Sequence, residues 1–158
     1  MELYFIRHGR ADRTAWSGND FERPLTPDGH SRMEKEARRL GEIGFDVDVI
    51  ITSPLTRAIQ TAEIVSDVLE IKHRLVVDDR LGFGFDLSTV RALISEYRDA
   101  VRIAFVGHEP SFSSVVGELI GGALVVCKKG SVARVDLYSR DSRHGELVWL
   151  LQPATLLK

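Results

Sequence analysis

Two hydrophobic patterns alternate along this chain: short continuous apolar runs, and longer stretches in which apolar residues recur every three or four positions. A short continuous run is typical of a strand buried on both faces, whereas the three-to-four spacing is typical of a helix with one apolar face. The runs predict strands at 3–6, 47–51, 75–77 and 102–106. The spacings predict helices at 27–43, 54–69, 90–97 and 112–120. Residues 132–138 and 146–151 flank a turn-rich segment and predict an antiparallel hairpin.

Residues that commonly cap helices support these boundaries. Thr26 and Pro27 are typical of an N-cap and a first helical turn, and Gly44 is typical of the position just beyond a helix. Ser53 and Pro54 predict that the second helix starts there. Alternating strands and helices predict an α/β fold: a three-layer α/β/α sandwich whose mostly parallel sheet is extended by the antiparallel C-terminal hairpin.

Composition and charge exclude several classes of protein. The chain has 158 residues, of which 44% are hydrophobic and 28% charged, so we expect one globular domain spanning 1–158. The formal net charge is −2 without any block of like charge, which argues against a nucleic-acid partner. No apolar stretch reaches the roughly 18 residues of a membrane span, so we expect no membrane association. The single cysteine, Cys127, lies in an apolar stretch and fits a cytoplasmic location.

Three groups of polar residues follow predicted strands. Arg7 and His8 follow the first strand, Ser53 and Arg57 follow the second, and His108 follows the fourth. Ligands of such sheets bind beyond the carboxyl ends of the strands, so we expect these side chains to meet at one edge. The remaining histidines have no such neighbours and are expected at the surface: His30, His73 and His144.

This combination of side chains suits the chemistry of a phosphoryl group. The guanidinium groups of Arg7 and Arg57 match its oxygens, and backbone N–H groups at a helix start near Pro54 would add donors. An unprotonated nitrogen of His8 can attack phosphorus and form a phosphohistidine that water then cleaves. His108 can stabilise the charge on the transferring oxygens. We expect no metal and no cofactor. A zinc site made of the two histidines and a carboxylate is the chemical alternative.

Four segments carry a resemblance to a known family. The sequence resembles the histidine phosphatase superfamily, which has a phosphoglycerate mutase-like fold, and within it the SixA-type phosphohistidine phosphatases. The resemblance implies that His8 is the phosphorylated nucleophile and that Arg7, Arg57 and His108 hold the phosphoryl group. From its place at the end of the second strand, we expect Ser53 to bind the substrate as well. The segments that carry the resemblance are 3–9, 23–26 with Gly29, 52–55 with 57–58 and 60–62, and 106–108.

The chain departs from this family at two places. Relatives often have an acidic or amide residue where Arg10 stands, so we expect Arg10 to make the mouth of the site more positive. Larger relatives carry a glutamate as general acid after the third strand, where this chain offers only Asp79 and Asp86 as weak candidates. An imidazole leaves a ring-protonated phosphohistidine as a neutral group and needs no such acid.

We therefore expect a metal-independent phosphatase whose substrate is phosphohistidine in a signalling protein. Small phosphate esters are the main alternative substrates. A noncatalytic, phosphate-binding regulatory module and a phosphoglycerate mutase are further alternatives. The mutase is disfavoured because no long insertion is present to enclose a small substrate.

Overall fold

The computed structural model describes residues 1–14 and 16–157, and its strands and helices follow the predicted alternation. The strands are β1 (Glu2–Arg7), β2 (Val49–Thr52), β3 (Leu75–Val77), β4 (Arg102–Gly107), β5 (Val132–Leu137) and β6 (Gly145–Leu151). The helices are α1 (Pro27–Glu42), α2 (Thr56–Val68), α3 (Leu87–Glu96), α4 (Ser111–Leu119) and α5 (Pro153–Leu156). Single 3₁₀ turns lie at Asp20–Glu22, Lys72–Arg74 and Asp79–Leu81. Within these described ranges, no helix has both the length and the apolar character that crossing a bilayer requires.

All six strands form one mixed sheet in the order β3-β2-β4-β1-β5-β6. The first four strands of this order pair in parallel, whereas β5 runs antiparallel to both β1 and β6. The expected α/β class is confirmed, as is the antiparallel C-terminal hairpin. Parallel neighbours far apart in sequence, such as β1 and β4, require crossover connections, and the helices provide them.

The sheet is covered by helices on both faces, which produces two hydrophobic cores. Leu3 and Phe5 of β1 pack on one side with α3 and α4, while Tyr4 and Ile6 pack on the other with α1 and α2. Successive strand residues point to opposite faces, so a central strand needs apolar residues at every position. The continuous apolar run at the start of the chain is the sequence signature of this double burial.

The predicted start of α1 is correct, and the predicted start of α2 is not. The Thr26 hydroxyl accepts a hydrogen bond from Gly29 N at 2.9 Å, so Thr26 caps α1 as expected. The second helix begins at Thr56, two residues later than predicted, and Leu55 precedes it with extended backbone angles. The Ser53 hydroxyl lies 2.7 Å from a ring nitrogen of His108 and also accepts a hydrogen bond from Leu55 N at 3.3 Å. The helix-start donors expected at Pro54 therefore belong to the turn that begins at Thr56.

Gly29 allows the first turn of α1 to pack against the loop that follows β1. A Cβ atom at this position would lie 2.2 Å from the backbone oxygen of Arg10, which also accepts a hydrogen bond from Thr26 N. We expect Gly29→Ala to destabilise the protein by about 1–3 kcal/mol because backbone must move. This corresponds to a fall of about 2–12 °C in Tm for a chain of this size, measured by calorimetry.

Gly41→Ala is the matched control, since Gly41 lies in the same helix. A Cβ there meets only the end of the Leu69 side chain, at 2.9 Å, and that side chain can rotate away. Alanine also favours a helix over glycine by up to about 1 kcal/mol. Equal Tm values for the two variants would contradict the role assigned to Gly29.

Candidate active site

The carboxyl ends of β1, β2 and β4 meet at one edge of the sheet. Ile6 of β1 and Thr52 of β2 both pair with Val106 of β4, which lies between them. The residues that follow these positions therefore leave the sheet at the same level. Arg7, His8, Ser53, Arg57 and His108 all lie at this edge, as the strand ends predicted.

His8 is 5% exposed, and its two ring nitrogens have different partners. Its Nδ1 lies 2.7 Å from the carbonyl oxygen of Gly9, which can only accept a hydrogen bond. The neutral ring therefore carries its proton on Nδ1 and keeps a free lone pair on Nε2. The Nε of Arg57 donates to this Nε2 over 3.3 Å. The nitrogen capable of nucleophilic attack thus faces a guanidinium group that would also hold an anion.

Arg57 comes from the first turn of α2 and is held in place by Asp20. Its Nη1 donates to the Asp20 carbonyl oxygen at 2.7 Å, and its Nη2 lies 3.3 Å from Asp20 Oδ2. Arg23 Nε donates to the other carboxylate oxygen of Asp20 at 2.9 Å. The hydrogen bond from Arg23, together with the charge of Arg57, lowers the pKa of the Asp20 carboxyl. Asp20 therefore stays ionised and orients the guanidinium toward His8.

His108 and Arg7 complete the arrangement and retain unused polar atoms. The ring of His108 lies 5.1 Å from that of His8, measured between centroids, and its Nε2 contacts the Ser53 hydroxyl at 2.7 Å. Arg7 Nη1 donates to the Cys127 carbonyl at 2.7 Å. His108 Nδ1 and Arg7 Nε are buried and have no hydrogen-bond partner among the described residues. An oxyanion in the cleft would supply acceptors for both.

These side chains line a cleft of about 410 Å³ that is strongly basic. Sequence reasoning missed six of its contributors, which are Ala11, Arg13, Arg23, Phe83, Glu109 and Lys129. Arg23 belongs to one of the motif segments, and Glu109 directly follows His108. Phe83 and Lys129 come from loops without any periodic signal. The complete lining consists of Arg7, His8, Ala11, Arg13, Arg23, Arg57, Phe83, His108, Glu109 and Lys129.

The two carboxylates considered as acids do not line this cleft. Asp79 is exposed within a 3₁₀ turn. Asp86 is the N-cap of α3: it accepts hydrogen bonds from the Ser88 hydroxyl at 2.6 Å and from Thr89 N at 3.0 Å. These bonds lower the pKa of the Asp86 carboxyl, so it is a poor proton donor at neutral pH.

Arg10 is not among the described residues that line this cleft. It lines a neighbouring cavity of about 530 Å³ and forms ion pairs with Asp12 at 3.0 Å and Asp28 at 3.7 Å. The packing of Gly29 against the Arg10 backbone directs the loop toward α1. Of the residues that the structure describes, only Arg7 and Lys129 line both cavities.

Burial and neighbouring positive charge lower the pKa of both histidines in the cleft. The pKa of His8 falls to about 2, mainly through burial and then through His108 and the two arginines. The pKa of His108 falls to about 3 through burial and the charge of Arg57. Both rings are therefore neutral between pH 4 and 8, and His8 Nε2 remains an available nucleophile throughout that range. His30, His73 and His144 are exposed, as predicted.

The ring-proton NMR signals of His8 and His108 are expected to show no titration between pH 4 and 8 in phosphate-free buffer. Unfolded histidine binds its proton near pH 6.5, so the unfolded chain binds more protons than the folded one below that pH. The free energy of unfolding should therefore fall as the pH decreases from about 6.5. An inflection in either signal within the range would contradict a neutral site, and His8→Asn and His108→Asn variants would assign the resonances.

Comparisons with known proteins agree with this geometry. A family model described as the histidine phosphatase superfamily (branch 1) matches residues 3–82. An uncharacterised protein of Picosynechococcus sp. is 38% identical over 99% of both chains. Phosphohistidine phosphatase SixA of Escherichia coli is 28% identical, covering 99% of this chain and 96% of its own length.

The solved structures show the same relationship. The structure of the protein histidine phosphatase SixA complexed with tungstate superposes with a TM-score of 0.88 and 27% identity, covering 99% of each chain. The six-stranded mixed sheet, the family-model match and the full-length relatives all agree. This chain belongs to the histidine phosphatase superfamily.

Proposed function

We propose that this protein is a phosphatase that transfers a phosphoryl group to His8 Nε2 and then to water, and that its substrate is a phosphorylated histidine of a protein. The observation that carries the proposal is the state of His8: a buried neutral ring whose proton is held on Nδ1 by Gly9. Its Nε2 faces Arg57, and four arginines and His108 line the cleft around it. The relatives named phosphohistidine phosphatase support this reaction class.

The first step forms the bond between phosphorus and His8 Nε2 and breaks the bond between phosphorus and the leaving group, which takes its electron pair. In the second step water attacks phosphorus, the electron pair returns to Nε2, and the phosphate leaves with both protons of the water. His8 Nδ1 keeps its proton throughout and donates a hydrogen bond to the Gly9 carbonyl oxygen. This hydrogen bond stabilises the positive charge on the phosphorylated ring.

Charge on the transferring oxygens is stabilised by groups already present in the cleft. Arg57 is oriented by Asp20, and Arg7 and His108 have buried nitrogens without partners. Because such groups are fixed before the reaction, they need little reorganisation in the transition state. Within residues 1–14 and 16–157, no group of three His, Cys, Asp or Glu side chains is arranged to hold a metal ion. The arginines can stabilise the charge on the transferring oxygens, so the proposed mechanism uses no metal.

The leaving group is the reason to favour phosphohistidine over an ester. Among the described residues, Glu109 is the one carboxylate that lines the cleft, since Asp79 and Asp86 do not, so an alkoxide leaving group would depend on Glu109 for its proton. An imidazole protonated at its second nitrogen departs as a neutral molecule without an acid. The expected cytoplasmic location and the absence of nucleic-acid and membrane partners remain predictions.

The experiment that tests the proposal measures phosphate release from a purified protein domain phosphorylated on histidine, beside p-nitrophenyl phosphate, with and without a chelator. We expect chelator-insensitive release from the phosphohistidine domain and slower release from the ester. A preference for the ester would favour a small-molecule phosphatase. Absence of release from both would favour a noncatalytic phosphate-binding module, and activity restored only by zinc would contradict the proposed mechanism.

A further inference from the structure

Phe83 is an exposed aromatic ring placed against the candidate active site. Its side chain is 62% exposed, although Leu81 and Phe85 on either side of it are buried in the core. Gly82 and Gly84 separate Phe83 from these anchors, and Gly84 has a φ of +75°, which favours glycine. The loop is thus fixed at both ends and holds Phe83 outside the core.

The ring of Phe83 faces the groups that would hold the phosphoryl oxygens. Its centroid lies 5.7 Å from the ring centroid of His108 and 5.7 Å from Cζ of Arg57. Phe83 is the one large apolar side chain among the described residues that line the cleft. A phosphoryl group has no apolar surface, so a ring at this place would contact what is attached to the phosphorus.

Glu109 contributes a second group that a phosphoryl group cannot use. Its Oε1 is buried and has no hydrogen-bond partner among the described residues. The carboxylate lies close enough to Arg7 to oppose the lowering of the Arg7 pKa by burial. Carboxylate and phosphoryl oxygens are both acceptors and repel each other. Glu109 Oε1 therefore needs a donor, and the leaving group is the part of a substrate that can carry one.

We propose that Phe83 and Glu109 form a leaving-group subsite that selects a planar ring bearing an N–H, such as the imidazole of a phosphorylated histidine. This inference rests on the proposed function and specifies how the same cleft distinguishes its substrates. Phe83 contacts the face of the ring, which before transfer carries a positive charge. Glu109 accepts a hydrogen bond from the ring N–H that does not carry the phosphoryl group.

The subsite acts as the bond between phosphorus and nitrogen breaks. The electron pair of that bond returns to the substrate nitrogen, and the imidazolium ring becomes a neutral imidazole. Its second nitrogen keeps the proton, which stays hydrogen-bonded to Glu109 Oε1, so no proton is transferred to or from the carboxylate. Glu109 is thus a binding residue for the leaving group and acts as neither acid nor base.

Three small substrates distinguish the contribution of Phe83 from that of Glu109. Phosphoimidazole has a planar leaving group with an N–H, p-nitrophenyl phosphate has a planar leaving group without one, and phosphoramidate has N–H donors without a ring. Phe83→Leu should lower kcat/KM about fivefold to tenfold for the two planar substrates and less than twofold for phosphoramidate. Glu109→Leu should lower kcat/KM at least tenfold for the two nitrogen-bearing substrates. For p-nitrophenyl phosphate it should leave kcat/KM unchanged or raise it.

Matched controls and a conservative variant complete the experiment. Tyr138→Leu removes a fully exposed aromatic ring elsewhere, and Glu118→Leu removes an exposed carboxylate of α4. Both should match the wild type on all three substrates. Glu109→Gln keeps an acceptor oxygen and should recover part of the activity toward phosphoimidazole.

Two outcomes overturn the subsite. If a variant of Phe83 or Glu109 lost kcat/KM equally on all three substrates, that residue would act on the phosphoryl group or on folding. A loss confined to p-nitrophenyl phosphate in both Glu109 variants would make Glu109 a general acid. A different result would contradict the proposed function itself, namely hydrolysis of phosphoimidazole by His8→Ala as fast as by the wild type.

Discussion

Replacement of His8 by alanine is expected to lower kcat by about 10⁶-fold on phosphohistidine, as the loss of a covalent nucleophile does elsewhere. Arg7, Arg57 and His108 would remain and could still bind the substrate, so the affinity for phosphate should change far less than kcat. The proposed nucleophilic nitrogen is buried, and the contact of His108 Nε2 with Ser53 fixes the neighbouring ring. Steady-state phosphate release would measure the effect.

A trapping experiment distinguishes loss of the nucleophile from loss of structure. Brief incubation of the wild type with a radiolabelled phosphoryl donor should leave an acid-labile, alkali-stable label on the protein, and His8→Ala should carry none. His30→Ala, which removes an exposed histidine of α1, should be labelled like the wild type. A labelled His8→Ala protein would place the covalent intermediate on another residue.

Arg57→Ala is expected to lower kcat/KM by about 10²–10³-fold, or about 2.7–4 kcal/mol of transition-state stabilisation, as for the loss of one oxyanion donor. Arg57 is 2% exposed and its Nε is the group that faces His8 Nε2. Arg57→Lys should recover only part of the activity, because an ammonium keeps the charge and loses the planar set of donors. The kinetic constants of both variants provide the measurement.

Two further variants test the geometry around Arg57. Arg38→Ala removes an exposed arginine of α1 and should leave kcat/KM unchanged. Asp20→Asn weakens the side-chain contact that orients Arg57 and should lower kcat/KM less than Arg57→Ala does. The effect should be smaller because the backbone carbonyl of residue 20, which accepts from Arg57 at 2.7 Å, is unchanged by the substitution. An Arg57→Ala enzyme with near-normal turnover would exclude Arg57 from transition-state stabilisation.

Much of the fold follows from local rules that a single sequence displays. The run from Leu3 to Ile6 is apolar at every position because β1 is buried on both faces. Thr26 and Gly29 mark the start of α1 because a helix must supply acceptors for its first N–H groups. The start of α2 was predicted two residues too early, because Leu55 has extended backbone angles although Ser53 and Pro54 are typical of a helix start. The contact between Ser53 and His108, which are 55 residues apart, likewise leaves no mark in the local sequence.

The candidate site, like the fold, was predictable from the sequence only in part. Arg7, His8, Ser53, Arg57 and His108 could be grouped in advance, since parallel strands end at one edge of a sheet. Their roles remain a proposal. Arg10 lines the neighbouring cavity rather than this cleft, and contact between Gly29 and the Arg10 backbone turns that loop toward α1.

The sequence by itself determined the order of strands and helices, the two-sided burial of the sheet and the set of polar residues at its edge. These features depend on spacing along the chain, and spacing is what a sequence records. Only the tertiary structure decided that Asp20 orients Arg57, that Gly9 holds the proton of His8, and that Phe83 and Glu109 enter the cleft. Those contacts join loops without periodicity, and their distances arise only when the whole chain is packed.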